Sequence, residues 1–258
     1  MGWKDRTELL LKKEAVDKLA GSHVLIAGLG GVGGMCAEML CRAGIGKFTL
    51  FDADVVNETN INRQIIATTE NIDQYKCDEW EKRLKSINPE VDITIHKEFL
   101  RDDRIPEVLK GKYDYVVDAI DTLAPKVFFL YHSVQNGHKL VSSMGSGSRM
   151  APEKIEIADV KDSHHCKLGW YVRKRLHKLG VHSGFDVVFS PEPVMDDTFV
   201  VEDSTNQKSI VGTISYMPNV YGAFIASVVI RRLLDMEVHL TKRMKEKAPT
   251  KATKNTKN

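Results

Sequence analysis

Short apolar runs alternate along the first part of the chain with segments in which apolar residues recur every three or four positions. The short runs predict buried strands, and the wider spacing predicts amphipathic helices. Strands are predicted at residues 23–27, 47–51, 91–96, 113–118 and 139–142. Helices are predicted at residues 6–19, 32–43, 75–87 and 125–136. This alternation predicts an α/β fold with a Rossmann-like, doubly wound and mostly parallel sheet.

The chain after residue 150 continues the same pattern. Additional C-terminal strands that extend the sheet are predicted at residues 154–160, 185–190 and 210–214. Two further helices are predicted at residues 167–179 and 219–235. We therefore expect residues 1–241 to form a single domain, followed by a tail at residues 242–258.

One stretch, residues 209–230, contains no charged side chain and has the length of a membrane span. Its apolar density is modest, and it is interrupted by Ser215, Pro218, Asn219 and Gly222. We interpret it as a short buried strand followed by a buried helix rather than as a membrane span.

The composition of the 258-residue chain is that of an ordinary globular protein, with 42% hydrophobic and 28% charged residues. These values exclude the collagen-like and the disordered classes of protein. The four cysteines, at positions 36, 41, 77 and 166, form no C-x-x-C pair. That arrangement argues against a zinc site and against a secreted disulfide framework. The first residues lack the apolar core of a signal peptide, so we expect a cytoplasmic protein.

Positive charge is concentrated in two segments of the chain. Residues 161–182 carry +5 and residues 242–258 carry +6, whereas the whole chain carries only +2, so the remainder is acidic. Such segments can contact a polyanion, although a solvated helix face and a solubilising tail would also account for them. For the tail we favour the second interpretation and expect disorder, because residues 248–258 contain almost nothing to bury.

A glycine-rich segment, Gly28-Leu29-Gly30-Gly31-Val32-Gly33, joins the first predicted strand to the following helix. Its glycines allow backbone N–H groups to approach phosphates at the start of a helix. Asp52 follows the second predicted strand, where a carboxylate can accept hydrogen bonds from ribose hydroxyls. These features fit NAD, FAD or ATP, and taken alone they favour a dehydrogenase.

The residues after Asp52 change this interpretation, because they are too polar for an ordinary Rossmann second strand. Asn60 and Arg63 lie one helical turn apart and can face one site, and Lys76 starts the next helix. Asp121 follows the fourth predicted strand, at the edge where such sheets bind ligands. Cations neutralise phosphoryl charge and a carboxylate can hold Mg²⁺, so the set predicts a triphosphate with a divalent metal ion.

The chain resembles the ubiquitin-activating-like family of adenylating enzymes, which includes the molybdopterin and thiamine sulfur-carrier activators. The residues that match the motifs of that family are Gly28, Gly30, Gly31, Gly33, Asp52, Asp54, Asn60, Arg63, Gln64, Lys76 and Asp121. The resemblance implies that the chain binds ATP and Mg²⁺ and activates a carboxylate as an acyl-adenylate. It implies that the glycines cradle phosphates, Asp52 binds the ribose and Asp121 holds Mg²⁺.

The resemblance also implies a homodimer, because an N-terminal arginine of the family reaches the ATP of the partner subunit. Arg6 matches that arginine. Together with Asn60, Arg63 and Lys76 it is expected to stabilise the phosphoryl charge during catalysis.

Two absences narrow the resemblance to one branch of the family. The chain lacks the paired C-x-x-C motifs of sulfur-carrier activators, and no cysteine after Cys166 corresponds to a thioester-forming cysteine. It is similar to the branch that cyclises threonylcarbamoyladenosine next to the anticodon of tRNA. The marks of that branch are Asp118-Ala119-Ile120-Asp121, Pro125-Lys126, Ile157-Ala158-Asp159-Val160, Lys167-Leu168-Gly169 and Ser190-Pro191-Glu192-Pro193.

The branch implies an ATP-dependent loss of water from tRNA that carries threonylcarbamoyladenosine. Some relatives carry a late cysteine, and residues 207–215 have none, so the route expected here uses no enzyme thioester. An alternative is activation of a ubiquitin-like or sulfur-carrier protein, and a second is a tRNA-binding protein without catalysis. Whether a sulfur-transfer partner protein assists is left open.

The basic segment is expected to dock tRNA through phosphate contacts from the residues Lys167, Arg173, Lys174, Arg175 and Lys178. A solvated helix is the other interpretation of these charges. Trp170 and Tyr171 in the same segment could stack on bases, but we expect at least one of them to lie in the core.

Overall fold

The computed structural model describes residues 2–195, 197–201 and 209–243. Its central sheet follows the apolar runs of the sequence. The strands are β1 His23–Ala27, β2 Lys47–Phe51, β3 Asp92–His96, β4 Tyr115–Asp118, β5 Leu140–Ser143, β6 Glu156–Asp159 and β7 Asp186–Phe189. Their order is β3-β2-β1-β4-β5-β7-β6, and only the pairing of β6 with β7 is antiparallel. This confirms the doubly wound, mostly parallel sheet and its C-terminal extension.

Eight α-helices are described around the sheet, besides three short 3-10 turns. They are α1 Asp5–Leu11, α2 Lys13–Ala20, α3 Gly31–Ala43, α4 Lys76–Ile87, α5 Arg104–Val108, α6 Leu123–Gln135, α7 Lys167–Lys178 and α8 Tyr216–Leu233. Helices α2, α3, α4 and α8 pack on one face of the sheet, and α5, α6 and α7 pack on the other. Alternate strand residues supply the two cores, since Val24 and Ile26 face the first layer whereas Leu25 and Ala27 face the second.

Helices α3 and α8 cross closely at a glycine. A Cβ atom at Gly222 would lie 2.8 Å from Cβ of Met35 and 3.0 Å from the backbone nitrogen of Cys36. Cβ atoms do not pack that closely, so α8 approaches α3 only because residue 222 has no side chain. This contact brings the start of α8 to the start of α3.

Two sequence-based predictions differ from the structure. The helix predicted at residues 6–19 is broken at Lys12, whose φ of 71° ends α1 before α2 begins. The strand predicted at residues 210–214 is β9 Ser209–Val211, which pairs with β8 Phe199–Val201 in a separate two-stranded sheet. The prediction that it extends the main sheet is wrong, because among the described residues β9 pairs with β8 and with none of the seven strands of that sheet.

The uncharged stretch at residues 209–230 forms β9 and most of α8, so a strand followed by a helix is confirmed. The helix is buried at residues such as Ile225 and Val229, whereas Val211 of β9 is only partly buried. None of the described helices combines the length and the hydropathy that a membrane span needs. The tail predicted after residue 241 falls mostly on residues 244–258, which lie outside the described residues. The last anchored point before it is Thr241, whose N–H donates to Ile157 O at 2.7 Å.

The strand order reverses between β1 and β4, so the connections after these two strands leave in opposite directions. In open α/β sheets this reversal creates a crevice at the carboxyl ends of the strands. Gly28 follows β1 and Ala119 follows β4, so both lie at that crevice.

Candidate active site

The glycine-rich loop closes tightly against the strand ends. Gly28 has φ of +91°, and a Cβ there would lie 2.7 Å from Ala119 O. A Cβ at Gly33 would overlap with Gly28 O. These two glycines are therefore required by the backbone path of the loop itself, because a side chain at either position would push the loop away from β4.

The start of α3 is open. Its N-cap residue, Gly30, provides no side-chain cap, so the N–H groups of the first turn have no side-chain acceptor there. A Cβ at Gly30 would meet only Gln64 Nε2, at 3.8 Å, whereas a Cβ at Gly31 would press on Pro218 and Arg63 O. Exposed N–H groups at the positive end of a helix dipole bind anions such as phosphate.

Asp52 ties the loop to the end of β2. Its Oδ2 accepts the N–H of Leu29 at 2.7 Å and its Oδ1 accepts the N–H of Asp54 at 2.9 Å. Burial raises the pKa of Asp52, and the charge of Lys76 acts in the opposite direction. A carboxylate has further lone pairs beyond these two bonds, so the geometry leaves Asp52 able to accept hydrogen bonds from ribose hydroxyls.

Lys76 presents a buried cation on the same side of the loop. Lys76 is 4% exposed, and its Nζ lies 2.9 Å from Asp54 Oδ2. Trp80, one turn further along α4, donates from Nε1 to Leu29 O at 3.2 Å. Trp80 was not predicted as a site residue, although its position four residues after Lys76 places both on one helix face.

The segment between β2 and α4 folds as a turn that carries Arg63. Asn60 Oδ1 accepts the N–H of Asn57 at 3.2 Å, so this amide caps the turn rather than standing free beside Arg63. The Arg63 guanidinium donates to Thr59 O at 2.7 Å. Burial lowers the pKa of Arg63, and the neighbouring carboxylate of Asp121 acts in the opposite direction. Arg63 and Asp121 are thus brought together, whereas Asn60 supports the loop beneath them.

A buried ion pair lies behind Asp121. Asp118 Oδ2 and Lys126 Nζ are 2.7 Å apart, and both side chains have an exposure of 0%. Ser142 Oγ also donates to Asp118 Oδ2, at 2.6 Å. Asp118 and Lys126 were predicted only as marks of the branch. The signal of a structural ion pair was a charged residue in an otherwise apolar strand and another in an apolar helix.

Residues from the far end of the chain complete the site. Asn219 on α8 donates from Nδ2 to Arg63 O at 3.1 Å, and Asn62 donates to Thr213 O at 2.9 Å. Tyr221 donates from its hydroxyl to Gly145 O at 3.2 Å. No local sequence signal predicts these contacts, because the partners are separated by many residues along the chain.

Arg6 lies away from the other site residues on α1, a helix in which no residue is buried. Within the single chain Arg6 is an exposed cation. Its predicted contact with the ATP of a partner subunit stays a prediction, because it requires a second copy of the chain.

The basic helix α7 presents most of its charge to solvent. Lys167, Lys174, Arg175 and Lys178 are exposed, whereas Arg173 is half-buried and donates to Ser163 Oγ. Burial lowers the pKa of Arg173. Trp170 and Tyr171 are 48% and 41% exposed. The expectation that at least one of them lies in the core is wrong, because the buried face of α7 is formed by Val172, Leu176 and Gly169 instead.

The donor set fits a nucleoside triphosphate. Gln64 is 6% exposed and its Oε1 has no hydrogen-bond partner among the described residues, so it can still accept from a ligand at the loop. No group of three or more His, Cys, Asp and Glu side chains forms a preformed metal site within the described ranges. A single carboxylate such as Asp121 suits Mg²⁺, which is commonly held by one or two carboxylates together with substrate phosphates.

Comparison with known proteins gives matches along nearly the whole chain. The model of the ThiF family matches residues 5–257. A curated relative, the tRNA threonylcarbamoyladenosine dehydratase of Bacillus subtilis (strain 168), is 33% identical over 251 residues, which is 94% of this chain and 98% of that protein. The enzyme of the same name from Escherichia coli (strain K12) is 34% identical over 203 residues, covering 75% of this chain and 76% of that protein.

The solved structures include a similar one with a bound nucleotide. It is the crystal structure of E. coli tRNA N6-threonylcarbamoyladenosine dehydratase in complex with ATP. Its TM-score is 0.83 at 30% identity, with 90% of this chain and 95% of that chain covered. By the extent of these matches, the chain belongs to the ThiF family.

Proposed function

We propose that this protein is an ATP-dependent tRNA threonylcarbamoyladenosine dehydratase. The observation that carries the proposal is the convergence of Asp52, Arg63, Lys76 and Asp121 around the open start of α3. The similarity to enzymes of that name supports the choice of substrate. The proposed cofactors are ATP and Mg²⁺.

The reaction requires activation of a carboxylate. The modified adenosine ends in a threonine carboxylate beside a urea nitrogen, and a carboxylate is a poor electrophile because oxide is a poor leaving group. One carboxylate oxygen attacks the α-phosphorus of ATP, and pyrophosphate leaves. The urea nitrogen then attacks the carbonyl carbon, loses its proton and expels AMP, so that water is lost overall. Ring closure within one molecule can have an effective molarity of about 10⁵–10⁸ M, so no protein nucleophile is needed.

The residues of the loop bind and orient the nucleotide in this proposal. Backbone N–H groups at Gly30, Gly31 and Gly33 hold the phosphates, and Asp52 accepts from the ribose. Gly28 shapes the loop instead, because its own N–H already donates to Phe51 O at 2.8 Å. Gln64 and Asp54 line the same space, Asp54 through its ion pair with Lys76.

The cations act on the charge that develops during transfer. Arg63 and Lys76 hold positive charge beside the phosphoryl groups, and Asn60 keeps the turn that carries Arg63. Preorganised cations are effective here because they need no reorganisation when charge moves. Asp121 would hold Mg²⁺, which supplies additional neutralisation of phosphate charge when it is bound.

A homodimer is part of the proposal, with Arg6 reaching the nucleotide of the partner subunit. Helix α1 supports it, because Leu9 and Leu10 are 72% and 79% exposed and no residue of the helix is buried within the chain. Apolar side chains that stay exposed in one chain are typical of a surface that a second copy covers.

The proposed tRNA-binding surface is α7. Lys167, Lys174, Arg175 and Lys178 are exposed and supply phosphate contacts. Arg173 fixes the helix through Ser163 and lies at the edge of that surface.

Residues 1–241 are proposed to act as one adenylating domain, in the cytoplasm, where ATP and tRNA are present. A sulfur-transfer partner is not needed for the cyclisation itself. The alternative substrate, a ubiquitin-like or sulfur-carrier protein, is disfavoured because all four cysteines are free and buried, and none is placed to form a thioester.

The experiment that tests the proposal is nucleoside mass spectrometry. Purified protein is incubated with threonylcarbamoyl-modified tRNA, ATP and Mg²⁺, and the modified nucleoside is expected to lose one water. Omission of ATP should abolish the change. An unchanged nucleoside would overturn the proposal, and pyrophosphate exchange stimulated by a carrier protein with a Gly-Gly tail would then support the alternative.

A further inference from the structure

The exposed face of α7 alternates cations with an aromatic ring. Lys167, Trp170, Lys174 and Lys178 follow the helical spacing of three to four residues, so their side chains share one face. The opposite face packs into the core through residues such as Val172. The interpretation of α7 as a solvated basic helix accounts for the exposed lysines but not for the exposed aromatic ring of Trp170 among them.

Trp170 is held in place and open to solvent at the same time. Lys174 Nζ lies 4.8 Å from the centroid of the Trp170 ring, and the Tyr171 ring meets it edge-on at 4.8 Å and 79°. Nearly half of the indole residue is nevertheless exposed, at 48%. Two neighbours thus limit the motion of the ring while a large part of its surface is free for a ligand.

A second ring with a cation lies beside the first. Phe199 is 44% exposed, and Lys167 Nζ lies 5.9 Å from its ring centroid. Lys167 begins α7 and Trp170 follows one turn later, so the sequence of groups is ring, cation, ring, cation. Nucleic acid strands present bases and phosphates in a similar alternation.

The start of this surface adjoins the active site. Leu168 Cβ is 3.8 Å from where a Cβ of Gly145 would lie, and Gly145 O accepts the Tyr221 hydroxyl. Tyr221 belongs to α8, whose Pro218 Cβ lies 2.9 Å from where a Cβ of Gly31 in the phosphate loop would be. A strand bound along α7 therefore runs toward the edge of the sheet that holds the phosphate loop.

We propose that the exposed Trp170 ring, with Lys167 and Lys174 on either side, stacks on an unpaired base of the tRNA anticodon loop. The proposal rests on the proposed function and names the part of the tRNA that α7 recognises. Bases inside a duplex already stack on each other, so an exposed indole can take up only unpaired bases. The substrate nucleoside lies next to the anticodon, in a loop of unpaired bases.

The test compares two unmodified RNAs, a hairpin with the sequence of an anticodon stem-loop and a fully paired duplex with the same stem. Trp170→Ala is expected to bind the hairpin about ten-fold more weakly and the duplex with unchanged affinity, since stacking on an aromatic ring acts only on unpaired bases. Trp170→Phe should recover most of the hairpin affinity. Phe99→Ala removes another exposed ring, 61% exposed and located after β3, and is the matched control.

Fluorescence gives a second readout that a merely structural role would not change. In a Trp3→Phe background the exposed indole is Trp170, because Trp80 is buried. Hairpin binding should quench its emission and duplex binding should not.

Three outcomes would overturn the inference, and each assigns the Trp170 ring or the α7 surface a different role. Equal weakening toward hairpin and duplex would mean that the ring only supports the helix. A change of oligomeric state in Trp170→Ala would assign the ring to a contact between copies. Absence of RNA binding by the unsubstituted protein would overturn the tRNA-docking surface, whereas failure of the proposed function shows separately in the nucleoside assay.

Discussion

The carboxylate of Asp118 and the ammonium group of Lys126 together hold both backbone polar groups of Ile120. Asp118 Oδ1 accepts the Ile120 N–H at 3.1 Å, and Lys126 Nζ donates to Ile120 O at 3.0 Å. Ile120 directly precedes Asp121, the proposed Mg²⁺ ligand. The buried pair therefore fixes the backbone from which Asp121 projects toward Arg63.

Removal of one partner of this pair should be more harmful than removal of both charges. Lys126→Met leaves the Asp118 carboxylate buried and uncompensated, and a loss of about 3–5 kcal/mol in the free energy of unfolding is expected. The double variant Asp118→Asn, Lys126→Met buries no charge and should be more stable than the single variant. Chemical denaturation measures both, and equal stability of the two variants would contradict this account.

Lys76→Ala should remove activity and leave the fold intact. The rate is expected to fall about 10²–10³-fold, as for loss of one preorganised group that stabilises developing charge. Its partner Asp54 is half exposed, so water can solvate the carboxylate in the variant. Lys82→Ala, on the exposed side of the same helix, is the control and should keep its rate. An undiminished rate of ATP-dependent dehydration in Lys76→Ala would take Lys76 out of the mechanism.

Two glycines of the loop should respond differently to alanine. Gly33→Ala places a methyl group against Gly28 O, so the loop must move and the melting temperature should fall. Gly30→Ala meets only Gln64 Nε2 at 3.8 Å, so the melting temperature should hold while the KM for ATP rises. Thermal denaturation and ATP titration separate the two effects. An ATP KM unaffected by Gly30→Ala would show that the nucleotide does not approach this backbone.

Nucleotide affinity should fall on acidification, and the fall should begin at a higher pH than the pKa of an ordinary aspartate would give. Burial raises the pKa of Asp52 above its usual value of about 3.9, and only the ionised form accepts from both ribose hydroxyls. Affinity is thus complete above the raised pKa and is lost as the pH falls through it. The charge of Lys76 lowers the pKa of Asp52, so Lys76→Met should raise that pKa further. In this variant the loss of ATP affinity should therefore begin at a still higher pH. Calorimetric ATP binding at several pH values tests this, and coincident profiles would speak against it.

Mixed subunits should reveal whether Arg6 acts across a dimer. Arg6→Ala and Lys76→Ala should each be inactive alone. Random mixing produces dimers in which one site has both residues, so about a quarter of the activity should return. Lys13→Ala, an exposed cation on α2, should retain activity and serves as the control. Complete inactivity of the mixture would contradict a contribution from the partner subunit.

Most of the sheet was predictable from local pattern. The apolar runs located β1 to β7 within a few residues, because buried strands need continuous apolar residues wherever they lie in the chain. The break at Lys12 and the separate sheet of β8 and β9 were not predictable. A positive φ at a lysine leaves no mark in the apolar pattern, and the partner of a strand is chosen by distant parts of the chain.

The sequence by itself was enough to predict the chemistry of the candidate site. The glycine loop, Asp52 and Asp121 follow predictable strands and Lys76 begins a predictable helix, so they could be predicted to gather at the edge where parallel strands end. Arg63 was predicted from its spacing of one helical turn after Asn60.

Only the tertiary structure decided what surrounds that chemistry. In the folded chain Asn60 caps a turn, Asp118 forms a buried ion pair with Lys126, and Trp170 is exposed to solvent. The physical reason is the same in each case. Whether a polar or aromatic side chain is buried, paired or exposed depends on which distant elements pack against it, and that packing is a property of the folded chain as a whole.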